Sequence, residues 1–286
     1  MALLLDEHGT EEQKSYIGPL LAGETMGAFA LTEAEAGSNA AAIGTVARRD
    51  GASYVLDGTK AWITCAQSAD WAIVLAKTDP DAGTRGISAF LVDREGFTNG
   101  EPYDLMGQHG TAVGKLRLDG CRVPASAMLG EPGQGYKIAK NALDTGRIGI
   151  AALAVGIARA AYEAAVEFAG GREQFGQKVS SFQGIRWMLV DMATDIEAAR
   201  LLTHRAARLR DAGLGRHTTE SAMAKLRASD VAMRVTVDAL QVDGATGYSK
   251  SEPLERYVRD AKLTQIYEGT NQIQREVLAR QLLGRP

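Results

Sequence analysis

At 286 residues the chain has room for about two domains and a sizeable core. Charged residues make up 23% of it, the formal net charge is −3 and no basic run occurs, so neither a nucleic acid nor a membrane is an expected partner. Two cysteines, Cys65 and Cys121, and four scattered histidines, His8, His109, His204 and His217, lack the spacing of a disulfide framework or a metal site, which fits a reducing, cytoplasmic setting without metal.

Met1–Glu7 has neither the basic lead nor the length of a signal peptide, and no uncharged stretch approaches ~18 apolar residues. Leu3 to His8 reads as the last turns of an apolar helix, as though the chain started inside an element. Thr10 and Gln13 then form a capping box for a helix predicted to run to about Leu21. From about Met26 to Leu129 the pattern is strand-like, with apolar runs Phe29 to Leu31, Trp71 to Ala76, Ile87 to Val92 and Val113 to Val123 broken by Gly, Asp and Pro. Asp57-Gly58, between two strand-like runs, predicts a tight hairpin that turns Trp62 and Thr64 to one face.

From about Gly133 the pattern is helical. Arg147 to Phe168 is rich in Ala and Gly, a surface small enough for close approach of a helix or a flat ligand, and core packing explains it equally well. Phe182, Ile185, Leu189, Met192, Ile196, Ala199, Thr203 and Ala206 recur at alternating three and four, a narrow seam for a neighbouring helix. Further helices are predicted over Thr219 to Val242, Ser251 to Tyr267, and Asn271 to Leu283. Ser251 is the expected cap of the second, Pro253 fits its first turn, Gly269 stops it, and Thr270 caps the third. The expected class is α+β: a barrel-like or sandwich β domain over 26–130 and a four- or five-helix bundle over 131–286, preceded by residues 1–25.

No Rossmann fingerprint or Walker A motif is present, so any nucleotide must be held otherwise. The helix break at Tyr267-Glu268-Gly269-Thr270 sets a lone carboxylate beside the free N–H groups that open a helix, a place that favours an anion. On residue chemistry alone such a Glu is an ordinary surface residue, and the context has to decide. Tyr267-Glu268-Gly269-Thr270-Asn271-Gln272-Ile273-Gln274 resembles the catalytic-base segment of the acyl-CoA dehydrogenases, a family of flavoenzymes. Five further stretches resemble the family in order: Phe29-Ala30-Leu31-Thr32-Glu33 to Asn39; Trp62-Ile63-Thr64; Leu143-Asp144-Thr145-Gly146-Arg147; Gly171-Arg172-Glu173-Gln174-Phe175-Gly176 with Phe182-Gln183; and Gln241-Val242-Asp243-Gly244-Ala245 to Tyr248. Ala34 replaces a usual proline, Asn39 a usual aspartate and Ala245 a usual glycine.

The resemblance implies that FAD is the cofactor, lying between the β domain and the bundle. It would be contacted by Phe29, Leu31, Thr32, Ser38, Trp62, Ile63, Thr64, Arg172, Gln174, Phe175, Gln183, Gln241, Gly244, Ala245, Thr270 and Gln272. Within that set Trp62 packs beside the flavin, Thr64 bonds N5, and Arg172 and the glutamine after Phe182 reach the FAD of a neighbouring subunit. Ser38, Asp144, Arg147, Tyr267 and Gly269 would contact an acyl-CoA substrate, with Glu268 as the base that takes its α-proton. Some relatives carry that Glu one residue before the arginine, where this chain has Gly146. The implied reaction forms a trans-2-enoyl-CoA, with an electron-transferring flavoprotein as acceptor and a homotetramer, a dimer of dimers, or a hetero-oligomer as the assembly. An oxidase of the same fold and a non-catalytic FAD- or acyl-CoA-binding subunit are the alternatives. The family also has an N-terminal helical domain of about a hundred residues. Residues 1–25 would be its remnant, which makes the chain a fragment or one half of a complex.

Overall fold

The computed structural model describes residues 1–213 and 217–284. The chain divides into two compact units, Met1–Leu105 with His109–Ala142, and Met106–Gln108 with Leu143–Pro286.

The first unit opens with three short helices, α1 (Ala2–His8), α2 (Glu11–Lys14) and α3 (Ile17–Ala22). The capping box forms as expected: Gln13 N–H donates to Thr10 Oγ1 (3.3 Å) and Thr10 N–H to Gln13 Oε1 (3.0 Å). The helix predicted to reach Leu21 in one piece is broken at Ser15 and Tyr16. Pro19 has no N–H to give the Ser15 carbonyl, and its ring crowds that turn.

Strands β1 (Gly27–Ala30), β2 (Val46–Asp50), β3 (Ser53–Thr64), β4 (Trp71–Lys77), β5 (Ile87–Asp93), β6 (Thr98–Asn99), β7 (Val113–Pro124) and β8 (Met128–Leu129) form one mixed sheet. Its order is β6-β7-β3-β2-β4-β5-β8, with β1 parallel to β4. β4 and β5 are buried over six successive residues each, which is why they read as unbroken apolar runs, whereas β7 alternates. Leu56, Ile63, Val74, Phe90, Val92, Leu116 and Leu118 make the core.

The hairpin expected at Asp57-Gly58 is not there. β3 runs straight through both residues, and the turn falls at Gly51-Ala52, closed by the Asp50 and Ser53 pair. Asp57 is engaged across the sheet instead, accepting Gly120 N–H (2.6 Å) and pairing with Arg48. Gly58 sits at a register shift with φ +154, where a Cβ would fall 2.4 Å from Thr45 Oγ1. A second shift between Lys60 and Ile63 holds Trp62 at φ 59 and leaves Trp62 and Thr64 exposed, with Ala61 and Ile63 buried.

The second unit is helical: α4 (Gly135–Gly171, within this unit from Leu143), α5 (Gln183–Asp211), α6 (Thr218–Asp243), α7 (Leu254–Thr264) and α8 (Asn271–Leu282). A small hairpin of β9 (Glu173–Gln174) and β10 (Gln177–Lys178) joins α4 to α5. The α+β class and the order of β strands followed by a five-helix bundle are as expected among the described residues. Ala151, Ala154, Ala158, Ala161, Ala165 and Ala169 form a buried line along α4, packed in one cluster with Met192, Ile196 and Ala199 of α5 and Val231, Val235 and Ala239 of α6. Alanine at that spacing lets helix axes come close. α4 is also long and apolar enough to cross a bilayer by length and composition, a test that the alanine-lined core helix of a bundle passes too.

α4 begins at Gly135, twelve residues before Arg147, so the Asp144 to Arg147 stretch lies inside a helix and not at its start. Ser251 is not the cap of α7. Pro253 holds that position, and the Ser251 N–H donates to Ser249 Oγ (3.3 Å). α7 ends at Thr264, short of the predicted Tyr267.

Candidate active site

Between α7 and α8 the chain passes through two successive left-handed residues, Glu268 (φ 55) and Gly269 (φ 87). Glycine adopts that conformation freely, whereas for Glu it costs about 1–3 kcal/mol and persists only where neighbours over-determine it. Those neighbours are present. The Glu268 carbonyl accepts from Arg147 Nε (3.3 Å) and Gln274 Nε2 (3.1 Å), and the Gly269 carbonyl from Gln274 Nε2 (2.8 Å) and Lys225 Nζ (2.8 Å). Thr270 Oγ1 caps α8 by accepting Ile273 N–H (3.2 Å).

The Glu268 side chain packs against α4 at Gly146, where a Cβ would fall 2.7 Å from its Oε2. That Oε2 is buried and has no hydrogen-bond partner among the described residues. Burial raises the Glu268 carboxyl to about 7, with Arg147 and Lys225 pulling the other way. Arg147 is itself paired with Asp144 (2.6 Å), which also accepts from Thr218 Oγ1 (2.5 Å). Burial pushes the Tyr267 phenol up, against a hydrogen bond from Gln108. The result is a carboxyl whose buried Oε2 has no donor among the described residues, raised to about 7 on a turn held by hydrogen bonds, which is the state a general base needs.

The structure thus brings Asp144, Arg147, Tyr267, Glu268, Gly269 and Thr270 together. Gln272 is exposed on the first turn of α8. Arg172, Gln174 and Phe175 ride the exposed β9–β10 hairpin, Gln183 opens α5, and Gln241, Gly244 and Ala245 end α6; all are exposed, without hydrogen bonds to the Glu268 turn among the described residues.

In the sheet unit, Phe29, Leu31, Thr32 and Ser38 follow one another along β1 and the loop after it, with Leu31 buried and Ser38 exposed. The Thr32 carbonyl accepts Ala61 N–H (2.9 Å), which ties this loop to the bulge that carries Trp62. Trp62 is 55% exposed and stacks on Tyr103 with centroids 4.0 Å apart. The Ile63 side chain belongs to the core, so only its main chain faces outward chemistry.

Sequence reasoning missed the residues that hold these groups. Lys60 is fully buried in β3, donating to the Leu31 carbonyl (3.1 Å) and pairing with Glu33 (2.8 Å). Glu33 also accepts from Thr45 Oγ1 (2.5 Å). Lys225, Asn271 and Gln274 do the same work around Glu268. The one signal was a single lysine in an otherwise apolar setting, as Lys225 is among Ala222, Ala224 and Ala228.

The sequence model described as "Acyl-CoA dehydrogenase, middle domain" matches residues 28–121, and that described as "Acyl-CoA dehydrogenase, C-terminal domain" matches residues 133–283. The chain is 48% identical to "Probable acyl-CoA dehydrogenase FadE25" of Mycobacterium tuberculosis, over 99% of this chain and 73% of that protein. It is 49% identical to the mitochondrial "Short-chain specific acyl-CoA dehydrogenase" of Bos taurus, over 96% of this chain and 67% of that protein. The solved butyryl-CoA dehydrogenase of Megasphaera elsdenii superposes with a TM-score of 0.97 at 46% identity, covering 99% of this chain and 74% of that one. The chain belongs to the acyl-CoA dehydrogenase family.

Proposed function

We propose that the chain catalyses FAD-dependent α,β-dehydrogenation of an acyl-CoA thioester to a trans-2-enoyl-CoA, with Glu268 as the base. The observation that carries this is the buried Glu268 carboxyl, unpartnered at Oε2, raised to about 7 and held on a left-handed turn. When ionised it accepts the α-proton. The Glu268 main-chain N–H has no acceptor among the described residues, and is free to hold the thioester carbonyl and acidify the α-carbon. FAD, when bound, supplies the acceptor for the hydride that leaves the β-carbon, so one C–H pair is lost as proton and hydride and one C=C bond forms.

The residues present fit that cofactor: an exposed indole at Trp62, the exposed hydroxyl of Thr64 two residues on, and the loop of Phe29, Leu31, Thr32 and Ser38 fastened beside them by Lys60. Ile63 contributes through its main chain. Arg172, Gln174, Phe175, Gln183, Gln241, Gly244 and Ala245 form exposed surfaces suited to the FAD of a second subunit, in a homotetramer or other oligomer. Thr270 and Gln272 lie at the start of α8, where N–H groups favour an anion. In the helical unit Asp144, Arg147, Tyr267 and Gly269 are the proposed substrate contacts, and in the sheet unit Ser38 is.

A short acyl chain is favoured by the relatives named short-chain specific or butyryl-CoA dehydrogenase. An electron-transferring flavoprotein is the proposed electron acceptor, in keeping with the 47% identical chain from the solved structure of that title from Acidaminococcus fermentans. A dehydrogenase is favoured over an oxidase, because relatives named dehydrogenases reach 46–49% identity whereas a prolyl acyl carrier protein oxidase is 34% identical. The test is anaerobic addition of saturated acyl-CoA thioesters, short to long, to the FAD-loaded protein. Flavin bleaching with enoyl-CoA formation is expected. Unbleached flavin with every thioester overturns the reading.

A further inference from the structure

Lys225 lies on a face of α6 otherwise made of Ala222, Ala224, Ala228 and Ser229, and it is fully buried. A buried ammonium is costly unless it is hydrogen-bonded and its charge is answered. No carboxylate forms an ion pair with Lys225 among the described residues. Its Nζ donates instead to the Gly269 carbonyl (2.8 Å) and to Asn271 Oδ1 (2.9 Å). Asn271 Nδ2 donates in turn to Ser229 Oγ (2.9 Å) and Asp230 Oδ1 (2.7 Å), and Gln265 Nε2 donates to the same Asp230 oxygen (2.6 Å). Lys225, Ser229 and Asp230, one turn of α6, therefore grip the chain on both sides of Glu268.

Within the helical unit the charged groups acting on Glu268 are Arg147 from α4 and Lys225 from α6, with the Tyr267 phenol beside it on its own segment. Arg147 is answered by Asp144, and Asp230 by Arg275 (3.3 Å). Lys225 is the cation whose charge no direct partner cancels. We propose that Lys225 is a positioning residue for Glu268: its buried ammonium locks the Gly269 carbonyl, and with it the left-handed turn, and supplies the positive field under which the Glu268 carboxyl ionises. This rests on the reading of Glu268 as the base. The depression of the Lys225 ammonium to about 8, caused first by burial and then by Arg147, agrees with such a position.

The experiment follows the rate of anaerobic flavin bleaching by butyryl-CoA against pH in FAD-loaded wild type, Glu268→Gln, Lys225→Met, Lys225→Gln and Asp230→Asn. Removing the charge in Lys225→Met or Lys225→Gln moves the midpoint of the pH profile upward by on the order of one unit, about tenfold slower on the acid limb. Much of that loss is recovered at high pH. Asp230→Asn keeps Lys225 and removes the negative charge nearby, which acts on the Lys225 ammonium without pairing with it, and moves the midpoint downward. A merely structural role predicts loss of amplitude and stability without these opposed shifts. An unmoved midpoint in the Lys225 variants, with Glu268→Gln inert, overturns the role of Lys225 alone. Bleaching in Glu268→Gln overturns the base reading and this proposal with it. Should neither Lys225 variant fold, the Asp230→Asn shift decides: downward supports the proposal, and unmoved or upward overturns it.

Discussion

The Glu268 carboxyl fills the place that a side chain at position 146 would take: a Cβ on Gly146 would lie 2.7 Å from Oε2 and 2.9 Å from Cδ. In relatives that carry the base one residue before the arginine, position 146 would hold a carboxyl on α4; here it must be bare, because the carboxyl arrives from the turn after α7. Gly146→Ala should therefore push Glu268 off its rotamer, at a cost of about 1–3 kcal/mol in stability. Flavin reduction should fall by at least about tenfold. Stopped-flow bleaching together with urea denaturation checks both, and a variant with unchanged rate would mean that the Glu268 position is not fixed by α4.

The raised Glu268 carboxyl carries a stability signature whose sign can be worked out. Its folded value of about 7 lies above the ordinary 4.5, so between those values the folded state holds a proton that the unfolded state has lost. Stability therefore falls as pH rises from about 4.5 to about 7 and levels off above. Glu268→Gln removes this penalty, and should gain on the order of 3 kcal/mol over wild type at pH 8 and nothing at pH 4. Catalysis runs the opposite way, since the ionised base gains with pH through the same range. Urea titrations of both proteins across pH test the first statement; a constant difference between them would contradict it.

Much of this was legible in the chain because it depends on local chemistry. The caps at Thr10 and Thr270 act over three residues, and β4 and β5 announce themselves as runs of buried apolar side chains. Asp57-Gly58 misled because its turn chemistry is overridden across the sheet: Asp57 reaches Gly120, 63 residues away, and β3 continues. The role of Lys225 was hidden for a similar reason, although its apolar setting was a signal. A lysine among alanines reads as the solvated edge of a helix, and nothing nearby reveals that its acceptors lie 44 and 46 residues downstream. The motif around Glu268 pointed to the proposed base, and the residues that hold its turn, Arg147, Lys225 and Gln274, come to it only once the helices pack.

Lys60 holds the loop after β1 as Lys225 holds the turn after Glu268. It is fully buried, with its ammonium lowered to about 8 by burial in spite of the Glu33 charge. Lys60→Met leaves Glu33 half-buried without its cation and frees the Leu31 carbonyl, which should destabilise the sheet unit by about 3–5 kcal/mol. If the loop contacts FAD, the variant should also retain less flavin on gel filtration. Full flavin retention despite the stability loss would separate the loop from cofactor binding.

The β9–β10 hairpin supplies the last test. Phe175 at its tip is 93% exposed at φ 53, edge-on to Phe182 with ring centroids 6.1 Å apart, and Arg172 at its base is exposed and forms no ion pair among the described residues. Such a strained, apolar-tipped hairpin is unexplained within a single copy, and a planar guanidinium suits a pyrophosphate. Arg172→Ala should leave the fold intact, since an exposed unpaired side chain contributes within about 0.5 kcal/mol. On the proposed reading, in which Arg172 contacts the FAD of a second subunit, it should nonetheless lose flavin on gel filtration. Light scattering and flavin absorbance on the same column give both readouts. A monomeric wild-type protein with one FAD per chain, or an Arg172→Ala variant with undiminished flavin, would contradict the assignment and leave the hairpin without a role in cofactor binding.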